Sequence, residues 1–146
     1  MKTLLIGCGN IGALYDWESL SIKTYAKCLS KLKINFDLYD KNILLARKVA
    51  QKYKVIALEN LNQICFSSYD LVIISTPTKT HFEYLNNILM DPPKLIICEK
   101  PIDTDIKRLT LLEDLYKRNR VRILVNYHRS FIPKFNELSL KIKSIL

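Results

Sequence analysis

Glycine is scarce in this chain, with three in 146 residues, which excludes glycine-rich linkers and low-complexity arms. Histidine is scarcer, with two. The four cysteines (Cys8, Cys28, Cys65 and Cys98) are widely spaced and form no C-x-x-C pair. No zinc-type ligand set follows from them, and no metal site is expected. They also lack the spacing of a disulfide framework, so reduced and mostly structural thiols are expected, with Cys98 in a buried strand. No apolar run approaches the roughly 20 residues of a membrane helix. The N-terminus has the outline of a lipoprotein signal, Lys2 followed by Leu4-Leu5-Ile6-Gly7-Cys8. Its apolar stretch falls short of the ~7–15 residues of a secretory core, so a cytoplasmic location is expected. Acidic residues are also in deficit: 14 against 23 basic ones, a net charge of +9. The lysines are scattered rather than clustered, so no nucleic-acid partner is expected, and the charge fits steering of small anions equally well.

What is present is ample apolar material. Hydrophobic residues make up 49% of the chain, enough for one domain with a single well-buried core. All three glycines fall in one stretch, Gly7-Cys8-Gly9-Asn10-Ile11-Gly12, which has the G-x-G-x-x-G spacing. It follows a short apolar run at residues 2–6 that reads as a buried parallel strand, and a helical segment follows it, the context of a dinucleotide fingerprint. Gly7 permits the tight strand-to-helix turn. Gly9 lets a pyrophosphate approach the backbone, and Gly12 lets the helix pack closely on the strand. The free N–H groups at the helix start would face the phosphates, aided by the helix dipole.

The rest of the chain alternates strand and helix. A short first helix, a polar break and a second helix over 21–33 are expected, with Tyr25, Ala26, Cys28, Leu29 and Leu32 at helical spacing. Strands follow at 35–39, 54–58, 69–74, 94–98 and 121–125. Helices are expected at 43–54 (Leu44, Leu45, Val49 and Ala50 inward), 60–66, 78–89, 103–119 and 135–146. This is an α/β pattern: a Rossmann-type doubly wound parallel sheet of order 3-2-1-4-5-6, with helices on both faces. Ligands in such folds bind outside the carboxyl ends of the strands, where the chemistry-bearing residues cluster. Asp40 ends the second strand. An Asp there either begins a turn or accepts hydrogen bonds from the adenosine ribose. With the glycine loop present the ribose role is favoured. A carboxylate would repel a 2′-phosphate, which argues for NAD; Lys41 beside it softens that preference and leaves NADP possible.

Four stretches together resemble the glucose-fructose oxidoreductase / inositol dehydrogenase / rhizopine catabolism family. They are the glycine loop, Ile74-Ser75-Thr76-Pro77-Thr78-Lys79-Thr80-His81, Cys98-Glu99-Lys100-Pro101, and Asn126-Tyr127-His128-Arg129-Ser130-Phe131-Ile132-Pro133. The Glu-Lys-Pro piece is the most specific. The resemblance implies an NAD(P)-dependent oxidoreductase moving hydride to or from a hydroxyl of a sugar, sugar-nucleotide or cyclitol. By the same resemblance, Lys100 is the catalytic candidate, contacting the reacting hydroxyl. Pro101 would follow a cis peptide, and Glu99 would face the nicotinamide ribose or serve only as a paired strand-end carboxylate. Ser75, Thr76, Pro77 and His81 join Gly7, Cys8, Gly9, Asn10, Ile11, Gly12, Asp40 and Lys41 as cofactor-side residues, although Thr76 and Pro77 also end a strand and a lone histidine such as His81 is more often structural. Tyr127 and Arg129 would lie on the substrate side, or Arg129 would pair with Glu99 or with a second domain.

The chain departs from the family at Ser130, where a second arginine is usual, at Ile132, where an acidic residue is common, and at Tyr25, where a histidine is common. Family members continue into a second domain that binds substrate, supplies an Asp and a His, and makes most oligomer contacts. Residues 1–134 are therefore expected to form the dinucleotide domain and 135–146 a crossover helix toward a domain that is absent. Little turnover by the chain alone and self-association through the uncovered surface are the corollaries. The alternative is a non-catalytic NAD(H)-binding module acting through a partner.

Overall fold

Six short strands carry the architecture: β1 (Thr3–Ile6), β2 (Phe36–Tyr39), β3 (Ile56–Leu58), β4 (Leu71–Ile74), β5 (Leu95–Glu99) and β6 (Ile123–Asn126). The computed structural model describes residues 1–127 together with Pro133, Lys134 and Glu137. All strand pairs are parallel, in the order β3-β2-β1-β4-β5-β6, as the alternation of elements predicts. β1 and β4 are buried along their whole length. That is why they read as unbroken apolar runs rather than alternating ones.

The period of two divides the core into two layers. Leu4, Ile6, Val72, Ile74, Ile96 and Cys98 face α3 (His81–Ile88) and α4 (Ile106–Arg118), meeting Leu85, Ile88, Leu112 and Tyr116. Leu5, Leu38 and Ile73 face the other way, onto α1 (Tyr25–Lys31) and α2 (Ile43–Tyr53), meeting Ala26, Leu29, Ala46, Val49 and Ala50. Each fully buried Leu or Ile here contributes about 1.5–3 kcal/mol relative to exposure.

Several boundaries differ from expectation for local reasons. Leu44 is 74% exposed: it lies across the helix from the Ala46, Val49 and Ala50 stripe, so only Leu45 of the expected pair turns partly inward. In α1 only Ala26 and Leu29 are buried. Cys28 is exposed and Leu32, the C-cap, is 64% exposed. Lys54 closes α2 in the left-handed conformation, φ 55°, which delays β3. The expected helix over 60–66 is two 3₁₀ turns, Leu61–Gln63 and Phe66–Ser68. α4 begins at Ile106, not 103, because Asp105 accepts the Lys107 N–H as N-cap. Asp103 instead accepts the Thr104 and Asp105 N–H groups. The expected helix over 135–146 lies outside the described residues.

Candidate functional site

The glycine loop leaves β1 through Gly7, whose φ of +98° is left-handed. Its N–H donates to the Tyr39 carbonyl at 2.8 Å, tying the loop to β2. A Cβ at Gly7 would sit 2.9 Å from the Ser75 and Thr76 backbone. A Cβ at Gly12 would sit 2.1 Å from the Gly7 carbonyl oxygen. Both positions therefore exclude any side chain. Gly9 is different: a Cβ there would meet nothing within 4 Å. The space over Gly9 is a cradle that a side chain would fill, which is what a phosphate group requires. The helical segment after it is shorter than expected, a single π-helical turn at Asn10–Leu14. Its first bonds run from Ala13 and Leu14 to the Gly9 carbonyl, so the N–H groups of Asn10, Ile11 and Gly12 precede the intrahelical ladder. With only five residues in the turn, these local donors rather than a macrodipole would hold an anion. Asn10 and Ile11 are exposed beside them. The Cys8 thiol is buried, and burial, reinforced by Asp40, pushes it up to about 12. Cys8 therefore offers the site its backbone, not its sulfur.

Asp16, in the polar stretch that breaks the first helix, fixes the entry into α1. It is 1% exposed and accepts from the Lys23 N–H at 2.6 Å, the Thr24 N–H at 2.9 Å and the Thr24 hydroxyl at 2.8 Å. Burial opposes its charge, but these bonds and the Lys27 ammonium outweigh it and hold the carboxyl below its ordinary value. The sequence pattern passed over this residue because a lone Asp in an irregular stretch carries no periodic signal.

Asp40 stands at the end of β2 as expected. One carboxylate oxygen accepts the Cys8 N–H at 2.7 Å and the other the Asn42 N–H at 2.8 Å, so it braces the glycine loop and begins a turn as well. Gly7, Gly9, Asp40 and Lys41 line a cleft of about 210 Å³, closed on the far side by Ser75 to Pro77, Lys79, Thr80 and Tyr84. A second cleft, of about 730 Å³, lies on the other side of the same wall. Ile11, Tyr25, Ser75, Thr76, Pro77, Glu99 and Lys100 contribute to it. The Ser75 hydroxyl, 2.9 Å from the Gly7 carbonyl, fastens that wall to the loop.

In the larger cleft, the Tyr25 hydroxyl donates to Glu99 Oε1 at 2.7 Å. Asn126 Nδ2 donates to the same oxygen at 2.6 Å and to Tyr25 Oη at 2.7 Å. Burial, then the Glu99 carboxylate, push the Tyr25 hydroxyl well above its ordinary range. Lys100 is exposed, and its ammonium makes no ion pair or hydrogen bond among the described residues. The Lys100–Pro101 peptide is cis, as expected. His81 does not reach either cleft. It is 1% exposed, with Nδ1 2.9 Å from the Pro101 carbonyl oxygen and Nε2 2.8 Å from that of Thr76. It braces the ends of β4 and β5 from below. Tyr127 is 58% exposed; Arg129 lies outside the described residues.

The family model of the glucose-fructose oxidoreductase / inositol dehydrogenase / rhizopine catabolism group, described as an oxidoreductase family with an NAD-binding Rossmann fold, matches residues 1–127. The chain belongs to this oxidoreductase family. Among relatives, it is 35% identical over 66 residues to inositol 2-dehydrogenase of Rhizobium meliloti (strain 1021), covering 45% of the chain and 20% of that protein. It is 25% identical over 139 residues to myo-inositol dehydrogenase Hyg17 of Streptomyces leeuwenhoekii, covering 94% of the chain and 40% of the relative. The chain thus spans less than half the length of either relative. Its fold is also that of a 3-ketoreductase from Actinomadura kijaniata in complex with NADP and TDP-benzene, with TM-score 0.77 at 15% identity over 99% of this chain and 42% of that one. The residues of this family member fit the cofactor: an open cradle over Gly9, a carboxylate at the end of β2, and clefts on both sides of the Ser75 to Pro77 wall. Tyr25 and Asn126 are the partners that sequence reasoning missed. Their 101-residue separation leaves no local signal, although Tyr25 was visible as a departure from the family.

Proposed function

We propose that this chain is the dinucleotide-binding part of an NAD(P)-dependent oxidoreductase acting on a hydroxyl of a sugar, sugar-nucleotide or cyclitol. The observation that carries the reading is the pair of clefts on either side of the Ser75 to Pro77 wall, both touching the glycine loop, with Asp40 in one and Lys100 in the other. The N–H groups of Asn10, Ile11 and Gly12 hold the pyrophosphate, and Asp40 takes the adenosine ribose hydroxyls on the lone pairs its backbone partners leave. Lys41 lies beside that ribose. Thr76 and Pro77 wall the nicotinamide end, and Glu99 accepts from its ribose. Bound NAD(P) supplies the hydride donor or acceptor. Lys100 Nζ holds the reacting hydroxyl and moves its proton, Tyr127 stands toward the substrate, and Arg129 is assigned the same role by the family motif.

The division into a dinucleotide domain over 1–134 and a crossover over 135–146, toward a second, substrate-binding domain, is part of this reading. Ile11 and Ile22, 38% and 54% exposed and both lining the larger cleft, support closure of that face by such a domain or by a second copy of the chain. No described helix is long and apolar enough to cross a membrane. The unbridged Cys28 and Cys65 at the surface support a reducing compartment, the cytoplasm.

The test is a fluorescence titration with NADH and NADPH in parallel. Saturable binding of NADH, weakened by Asp40→Ala, is the expected result. Binding of neither cofactor overturns the reading.

A further inference from the structure

We infer that Glu99 biases the bound dinucleotide toward its oxidised form, with Tyr25 and Asn126 as the residues that position it. This rests on the proposed function, and on three observations of the chain itself. First, both donors converge on one oxygen: Tyr25 Oη and Asn126 Nδ2 reach Glu99 Oε1 at 2.7 and 2.6 Å. Oε2 has no hydrogen-bond partner among the described residues. The carboxylate is held by one edge and offers the other. Second, Glu99 lines the larger cleft with Thr76, Pro77 and Lys100. A dinucleotide whose pyrophosphate lies on the glycine loop and whose adenosine points to Asp40 extends its nicotinamide in that direction. Third, no ion pair joins Glu99 to Lys100 or Lys23, which line the same cleft. Its charge is not cancelled by direct pairing among the described residues.

The oxidised nicotinamide carries a positive charge that the reduced ring lacks. A fixed carboxylate at that end of a partly enclosed cleft stabilises the charged ring and leaves the neutral one nearly unaffected. The neighbouring ammonium of Lys100 acts in the opposite sense. The two therefore make opposite predictions for one measurable ratio, which general damage to the site would not produce. Tyr25→Phe keeps the charge and removes an anchor, so it moves the ratio less.

The experiment is calorimetric titration of the chain with NAD⁺ and with NADH, read as the ratio of Kd(NADH) to Kd(NAD⁺). Glu99→Gln lowers this ratio roughly tenfold, Tyr25→Phe lowers it two- to threefold, and Lys100→Met raises it by about as much as Glu99→Gln lowers it. Thermal melts confirm which variants are folded, and Lys100→Met tests the sign by itself if Glu99→Gln is not. A ratio that Glu99→Gln leaves unchanged, or equal losses for both redox forms, overturns the inference and leaves the cofactor site standing. A wild-type chain that binds neither form overturns both.

Discussion

Replacing Gly9 and Gly12 separately with alanine tests whether the loop has one glycine for folding and another for ligand. A methyl group at Gly12 would lie 2.1 Å from the Gly7 carbonyl oxygen and 2.9 Å from Ser75 Oγ. The first contact is with backbone, which cannot rotate away. Overpacking of this kind costs typically about 1–3 kcal/mol, and the depth of the overlap puts Gly12→Ala at or above about 3 kcal/mol. For a chain of this length the melting entropy is about 0.3 kcal/mol per degree, so the melting temperature falls by about 10 °C. Gly9 has φ −70°, ψ −156°, which alanine adopts, and open space where its Cβ would project. Gly9→Ala therefore keeps the stability or raises it by up to about 0.4–1 kcal/mol from the stiffer unfolded chain, about 1–3 °C in melting temperature. The same methyl occupies the space assigned to the pyrophosphate. A steric cost of about 1–3 kcal/mol weakens NADH binding roughly ten- to hundredfold. Differential scanning fluorimetry and an NADH titration on both variants give the answer. Wild-type affinity in Gly9→Ala, or an unmoved melting temperature in Gly12→Ala, would refute the assignment of roles.

Asp16 has a depressed folded-state value, so its contribution is complete above the unfolded carboxylate range near pH 4 and is lost as pH falls through the folded value. Asp16→Ala is expected to cost about 3 kcal/mol at pH 7 and to flatten the stability profile below pH 4 in urea melts. Asp40→Ala removes the acceptor of the Cys8 N–H at a cost of about 1–3 kcal/mol. It also shifts relative affinity toward NADPH, read in paired titrations. Lys100→Met removes an ammonium with no partner among the described residues, so the melting temperature stays within about 2 °C. In a protein that also carries the second domain, turnover falls at least about a hundredfold.

The sheet was legible because its central strands are buried on both faces, which leaves β4 as the unbroken run Leu71-Val72-Ile73-Ile74. The glycine loop supplied the strand order through its fixed place after β1. Local rules also placed Asp40, since a carboxylate at the end of β2 needs only the strand boundary. What stayed hidden was of two kinds. Asp16 and Thr24 meet through a loop with no period to reveal it. Tyr25, Glu99 and Asn126 meet across three elements whose register is decided by the whole sheet, Glu99 facing Asn126 in the β5–β6 ladder. Helical spacing alone makes Tyr25 one more apolar position and turns Leu44 inward, although the angle of Leu44 about the helix is outward. The motif alone groups His81 with the cofactor-side residues. Both ring nitrogens instead meet backbone carbonyls, so its tie to the site runs through the strand ends it braces.

The site's shape follows from the order of the strands. After β1 the chain turns to the face of α1 and α2; after β4 it turns to the face of α3 and α4. Between these neighbours no connection covers the strand ends, and a crevice opens there. Gly7 and Gly12 keep the loop pressed against β1 and the Ser75 wall, so the wall divides the opening instead of being buried by it. The result is two spaces, about 210 and 730 Å³, that share Ser75, Thr76 and Pro77, the smaller lined by Gly7 and Gly9 and the larger by Ile11 of the same loop. A mononucleotide would need only one of them. A ligand with two ring-bearing halves joined by a compact anionic link can use both, its link lying where the Asn10, Ile11 and Gly12 N–H groups precede the intrahelical ladder. That is the shape and charge of a dinucleotide.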